Sequence, residues 1–169
     1  MNLCGLCAIS VCSVFLPYAA MESLVIGYGN ALRGDDGVGP RVATHLASTL
    51  SGAPVRALAI HQLLPELAEP ISQAALVIFV DACVGSPPGA VAGRPLAPLD
   101  TSTLGLGHYL TPAALLAYAR QWYGRCPPAH LITITGQDFG YTEQLSAPAE
   151  TAVDEAVALV HRLLNLPGA

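Results

Sequence analysis

A three-layer α/β/α sandwich around a mostly parallel central sheet is the fold class this sequence predicts, and three observations predict it. Strand-length apolar runs alternate with segments of helical spacing, an order that pairs strands in parallel and puts helices on both faces, because such crossovers are right-handed. The 169 residues are 53% hydrophobic and only 11% charged, which suits a sheet buried on both sides. The first clear strand, Leu24-Val25-Ile26, breaks into a glycine-rich loop that feeds a helix, and sheets of this kind bind ligands beyond the carboxyl ends of their strands.

Taken in order, that first strand stops near Gly27, since glycine accepts backbone angles closed to a substituted residue. After Gly37 the residues Val38, Val42 and Leu46 recur every four positions, with Pro40 in the first turn, where its missing N–H is not needed. Val55–Ile60 reads as a second strand, and residues 63–71 as a helix with Pro65 in its first turn and Pro70 near its end. Residues 75–80 carry the strongest β signal and predict a central strand that ends in Asp81. Ser86-Pro87-Pro88-Gly89 is a turn, residues 90–96 an edge strand, and residues 97–108 a loop of small residues. Thr111-Pro112 is an N-cap and first-turn pair for a helix through Trp122, and residues 131–135 form another strand. A long loop follows. From Pro148, Val153, Ala156, Val157, Val160 and Leu164 keep helical spacing, so the last helix packs one face on the sheet.

Charge narrows the partners. The chain has seven basic residues, all arginine, and a net charge of −5; nucleic acid is not an expected partner, because phosphate binding needs clustered Lys and Arg. A polybasic membrane-binding segment is equally missing, so no membrane partner is expected. Residues 1–20 are apolar, without charged side chains, and carry Cys4, Cys7 and Cys12. They lack the basic start of a secretory signal, and Pro17 interrupts what a spanning helix would need. They are expected to be an extension, a mis-assigned start or a disordered tail, with residues 21–169 forming a single domain that opens at Met21. The lone Cys4-x-x-Cys7 pair is a weak metal or redox signal without a second pair. With Cys83 and Cys126 the count is five, which gives no disulfide framework, and a reducing cytoplasm is the expected location.

The chemistry gathers where strands end. Asp35 and Asp36 lie between the first strand's C-terminal end and a helix N-terminus, whose partial positive charge favours anions. Gly27 and Gly29 supply half of a dinucleotide-binding G-x-G-x-x-G, but Leu32 holds the third position, and the second strand ends in Ile60-His61 with no acid for a ribose. Capping the helix is the plainer use of an aspartate there, although one would suffice. If the first and third strands are neighbours, Asp36 and Asp81 face one crevice, and His108, just before a helix, opens onto the same edge. Two carboxylates and an imidazole form a set suited to a borderline divalent metal such as nickel or zinc. Each alone has an ordinary reading: a strand-end aspartate as a turn residue or cap, a lone loop histidine as no ligand at all.

The run Ile-Gly-Tyr-Gly-Asn-Ala-Leu-Arg-Gly-Asp-Asp-Gly-Val-Gly, then Val-Ile-Phe-Val-Asp-Ala with Pro-Pro-Gly after it, then a loop histidine, resembles the hydrogenase maturation proteases, in order from Leu24 to about Leu164. The resemblance implies an endopeptidase of the aspartic type that removes the C-terminal extension of a nickel–iron hydrogenase large-subunit precursor after nickel insertion. It places the family's metal-contacting acid on Asp36, its strand-end aspartate on Asp81 and its loop histidine on His108, with Asp36 and Asp81 as the catalytic acids. Where many relatives carry a glycine-rich turn after the second strand, this chain has His61-Gln62-Leu63-Leu64-Pro65. His61 is therefore a candidate substrate or metal contact, with a structural histidine as the alternative. Cys83 and His108 mimic a Cys–His pair, but no orienting group or oxyanion donors accompany them.

Amide hydrolysis needs a polarised carbonyl, an activated water and a protonated leaving amine. Either a metal at Asp36, Asp81 and His108 or a metal-free carboxylate could activate the water. Three ligands leave a coordination sphere incomplete, so nickel is expected to arrive as part of the substrate rather than as a resident ion. A small-molecule hydrolase and a nickel-binding module on the same fold are the alternatives to the peptidase.

Overall fold

The computed structural model describes residues 21–100 and 110–166. Five strands make one sheet in the order β2-β1-β3-β5-β4, with β1 Ser23–Tyr28, β2 Val55–Ile60, β3 Val77–Val84, β4 Val91–Pro95 and β5 Ala129–Gly136. The first four strands in that order run parallel, and β4 pairs antiparallel with β5 at the edge. The expected α/β architecture with a mostly parallel sheet is the architecture found.

Strand alternation sorts the core into two layers. Leu24 and Ile26 of β1, Val77 and Phe79 of β3 and Leu131 of β5 point to one face, where α2 (Ala68–Gln73) and α3 (Pro112–Tyr123) cover them through Ile71, Leu115 and Leu116. Val25, Ile78, Val80, Ile132 and Ile134 point to the other, under α1 (Val38–Thr49) and α4 (Ala147–Leu163), with Val42, Leu46, Val153 and Val160 against them. Phe79, Ile26, Leu46 and Ile132 are fully buried, each contributing roughly 1.5–3 kcal/mol of transfer free energy.

Two helices start as their sequences dictate. Thr111 accepts a hydrogen bond from Ala114 N at 3.2 Å and precedes Pro112 at the first helical position; Ser146 does the same for α4, accepting from Ala149 N at 3.4 Å. The segment expected as a helix over 63–71 is instead a 3-10 turn, Pro65–Leu67, running into the short α2, which contains Pro70. Two prolines within six residues remove backbone donors and shorten the regular helix. The central strand also differs from its expected limits. It begins at Val77 and runs past Asp81 to Val84, because β5 continues alongside it as far as the pair Val84↔Gly136. Asp81 therefore sits within a paired strand, not at its end.

Candidate active site

The close packing of β1 against α1 sets the site. A Cβ on Gly27 would stand 1.9 Å from Gly39 O, and one on Gly39 would stand 2.6 Å from both Tyr28 O and Val80 O; only glycine allows the helix start to seat directly on β1 and β3. Beyond β1 the chain turns at Gly29, with φ at +142°, a conformation that disfavours side chains. Asn30 N then donates to Asp36 Oδ2 at 2.8 Å, and Leu32 N to Asn30 Oδ1 at 3.0 Å. A 3-10 turn, Gly34–Gly37, leads into α1.

Neither Asp35 nor Asp36 caps α1, whose N-cap is Gly37 with no side-chain hydrogen bond. Asp35 is fully buried and reaches across the fold. It accepts from Gln137 N at 2.6 Å, Asp138 N at 3.0 Å, Ser146 N at 2.7 Å and Ser146 Oγ at 2.8 Å. Burial pushes its pKa up, but the hydrogen bonds from Asp138, Gln137 and Ser146 outweigh burial and hold the carboxyl below its ordinary value. Asp35 is thus a clamp between the glycine-rich loop, the loop after β5 and the start of α4.

Asp81 lies beside the end of β1. Gly27 pairs with Val80, so the next residues of the two parallel strands, Tyr28 and Asp81, are neighbours on the same face, and Tyr28 Oη donates to Asp81 Oδ2 at 2.5 Å. Burial raises the Asp81 pKa; the hydrogen bonds from Tyr28 and Ala82 pull it down, the Asp36 charge pushes it up, and the net direction is upward. That Asp36 is felt at Asp81 places both carboxylates in one electrostatic neighbourhood. The Tyr28 hydroxyl is pushed well above its ordinary pKa, first by burial, then by the Asp81 charge and the hydrogen bond to it, so it stays a donor. The sequence singled out no role for Tyr28 or for Asp35 as a clamp; the parallel register of β1 and β3, which brings Tyr28 to Asp81, is set by the fold.

His61 follows the C-terminal end of β2 and lines an apolar cavity of about 450 Å³ with Ile60, Gln62, Leu64, Glu66 and Leu67. His108 lies outside the described residues, as do residues 1–20 with Cys4, Cys7 and Cys12. Cys83 shares the face of Asp81 two residues on, with its Sγ 3.6 Å from Thr135 Oγ1. Among the described residues no group of three or more His, Cys, Asp or Glu could hold a metal ion. Asp36 and Asp81 each have one carboxylate oxygen hydrogen-bonded, to Asn30 N and Tyr28 Oη respectively.

No family model and no curated protein sequence matches the chain. Solved structures do. A hydrogenase 2 maturation peptidase from the Thaumarchaeota archaeon SCGC_AB-539-E09 superposes with a TM-score of 0.65 at 27% identity, over 86% of this chain and 99% of its own. In fold, and at 27% identity in sequence, the chain is similar to this hydrogenase maturation peptidase. The fold is shared with the hydrogenase maturating endopeptidase HybD from E. coli, with a TM-score of 0.68 at 22% identity over 86% of this chain and 93% of that one. It is shared also with the [NiFe] hydrogenase maturation protease HycI from Thermococcus kodakarensis KOD1, at 0.64 and 24% over 86% and 93%. In this chain Asp36 lies in the turn that follows β1 and Asp81 lies on β3, the strand paired with β1.

Proposed function

We propose that the protein is an endopeptidase that removes the C-terminal extension of a nickel–iron hydrogenase large-subunit precursor after nickel insertion. The observation that carries the reading is that Asp36, in the turn after β1, acts electrostatically on Asp81 of the neighbouring strand β3, on a fold that matches a hydrogenase 2 maturation peptidase over nearly all of that protein's length.

Hydrolysis joins the oxygen of water to the scissile carbonyl carbon, breaks the carbon–nitrogen bond and moves one proton from water to the leaving amine. Asp81 suits the proton relay: its pKa is raised by burial and by the Asp36 charge, so it can accept the proton of the attacking water and return it to the amine. Tyr28 fixes one oxygen of Asp81. Asp36, held by Asn30 N, supplies the second acid of an aspartic-type site, although the pair lacks the D-T-G sequence of pepsin-like enzymes. His61 lines a cavity at the neighbouring strand end and is assigned to substrate contact.

Nickel enters as part of the substrate. The precursor holds the ion, and Asp36, Asp81 and His108 engage its open positions, so recognition and timing become one event. Three protein ligands leave the coordination sphere incomplete, and the free protein should bind nickel weakly. Incubation of the purified protein with nickel-loaded and nickel-free precursor, with products weighed by mass spectrometry, tests the reading. Shortening of the loaded precursor alone supports it. Efficient cleavage of the nickel-free form in the presence of a chelator overturns the nickel requirement, and hydrolysis of free peptides or esters with the precursor left intact marks a small-molecule hydrolase instead. Nickel binding with no cleavage of any substrate marks a binding module.

A further inference from the structure

Beside Asp36 the glycine-rich loop carries a rim that the hydrolytic chemistry does not use. Leu32 is 58% exposed and Tyr141, across the rim, is 95% exposed. Side chains this open on free loops would be unremarkable, but these loops are fastened to each other. Arg33 bridges to Thr142 in strand fashion, Gly34 N donates to Thr142 O at 2.7 Å, and Asp35 N donates to Asp138 O at 2.8 Å. Arg33 Nε and Nη2 reach Phe139 O at 3.4 and 3.3 Å, and its guanidinium carbon lies 5.9 Å from the centre of the Tyr141 ring. Beneath them the buried Asp35 carboxylate ties Gln137, Asp138 and Ser146 together. A leucine, an arginine and a tyrosine are held rigid and open to solvent within six residues of Asp36 in one loop or bonded to that loop.

We propose that Leu32, Arg33 and Tyr141 form the docking rim for the protein substrate, with Arg33 engaging a carboxylate side chain that flanks an apolar residue of the precursor. The proposal rests on the peptidase reading and adds the chemistry of the segment recognised. Ordering costs on binding are small where the contact residues are already fixed, and Tyr and Arg are the residue types that dominate interface energetics. Charge decides the occupant. The chain is acidic, at −5, yet Arg33 has no ion-pair partner among the described residues. Its contacts to Phe139 O are longer than ordinary N–H···O bonds, which leaves most of its five donors unspent. A carboxylate on the substrate satisfies them. A phosphate backbone or lipid surface would need several clustered cations, and a basic substrate residue would be drawn to Asp36 and Asp81 rather than to the rim.

The test is steady-state processing of a nickel-loaded large-subunit precursor together with its Kd for an uncleaving Asp81→Asn background. Arg33→Glu should raise KM and Kd about tenfold or more, with kcat changing much less, and Arg33→Lys, which keeps the charge, should recover most of the loss where Arg33→Gln does not. Tyr141→Ala should raise KM several-fold. Added salt should raise the wild-type KM and leave that of Arg33→Glu unmoved. Circular dichroism melts identify variants whose loops have simply unfolded, and the Lys against Gln comparison then carries the test. Equal KM for wild type and Arg33→Glu, or loss confined to kcat, overturns the rim. Failure of the wild type to cleave while it still binds sinks the peptidase reading alone, and the Kd series continues to judge the rim. Failure of the wild type to bind at all sinks both.

Discussion

Asp35 is fully buried and accepts four hydrogen bonds from Gln137, Asp138 and Ser146, so changing it to Asn turns an N–H toward donors that it formerly satisfied. Charge-assisted bonds of this kind are worth about 1.5–3 kcal/mol each, and orphaned donors add to the cost; Asp35→Asn should lose roughly 3 kcal/mol in a denaturant titration. Its folded pKa lies below the ordinary value, so its contribution is present above the unfolded pKa and lost as pH falls through the folded one. The gap between wild type and variant should therefore be full at neutral pH and close below about pH 4. Asp36 and Asp81 behave differently, since both are only half-buried at the crevice. Asp36→Asn, Asp81→Asn and His108→Ala should each cut precursor processing by about 100-fold or more, with Tm within about 2 °C of wild type. A collapse of Tm in these variants would mark the residues as structural.

Among the elements, the seat of α1 on β1 and β3 positions Asp36, and its tolerance is narrow. A Cβ on Gly39 meets two backbone carbonyls, Tyr28 O and Val80 O, at 2.6 Å, and neither can swing away as a side chain would. Gly39→Ala should cost about 3 kcal/mol, a fall of roughly 10 °C in Tm, and should impair processing as the loop carrying Asp36 is displaced. An unchanged melt would show that the helix can slide without loss. Helix starts were the most legible feature of the sequence: Thr111-Pro112 and the run after Gly37 both mark starts within a residue of those found. The segment 63–71 was less legible, because apolar spacing alone does not distinguish a 3-10 turn and a short helix from one longer helix when Pro65 and Pro70 interrupt the donors.

At the scale of the molecule, the sheet and both core layers among the described residues are built from residues 23 to 164, and removing residues 1–20 should leave Tm and processing unchanged. Loss of soluble protein on truncation would overturn that expectation. Among the described residues no helix is long and apolar enough to cross a membrane. The topology explains how Tyr28 meets Asp81: β1 and β3 are hydrogen-bonded neighbours although β2 intervenes in the chain, so the last residue of β1 lies beside the middle of β3.

The order of strands and helices, the mostly parallel sheet and the glycine-rich turn could be reached from the sequence alone. All of these depend on periodicity, caps and glycine requirements over a few residues, and local rules carry them. What each neighbouring aspartate does was decided only by tertiary structure. Asp35 finds its donors more than 100 residues away, and Tyr28 meets Asp81 across a separation of 53. The length of β3 past Asp81 was likewise set by how far β5 accompanies it, and the rim of Leu32, Arg33 and Tyr141 by two loops whose backbones bond to each other. Contacts of this range depend on strand register and loop closure, which no local pattern encodes.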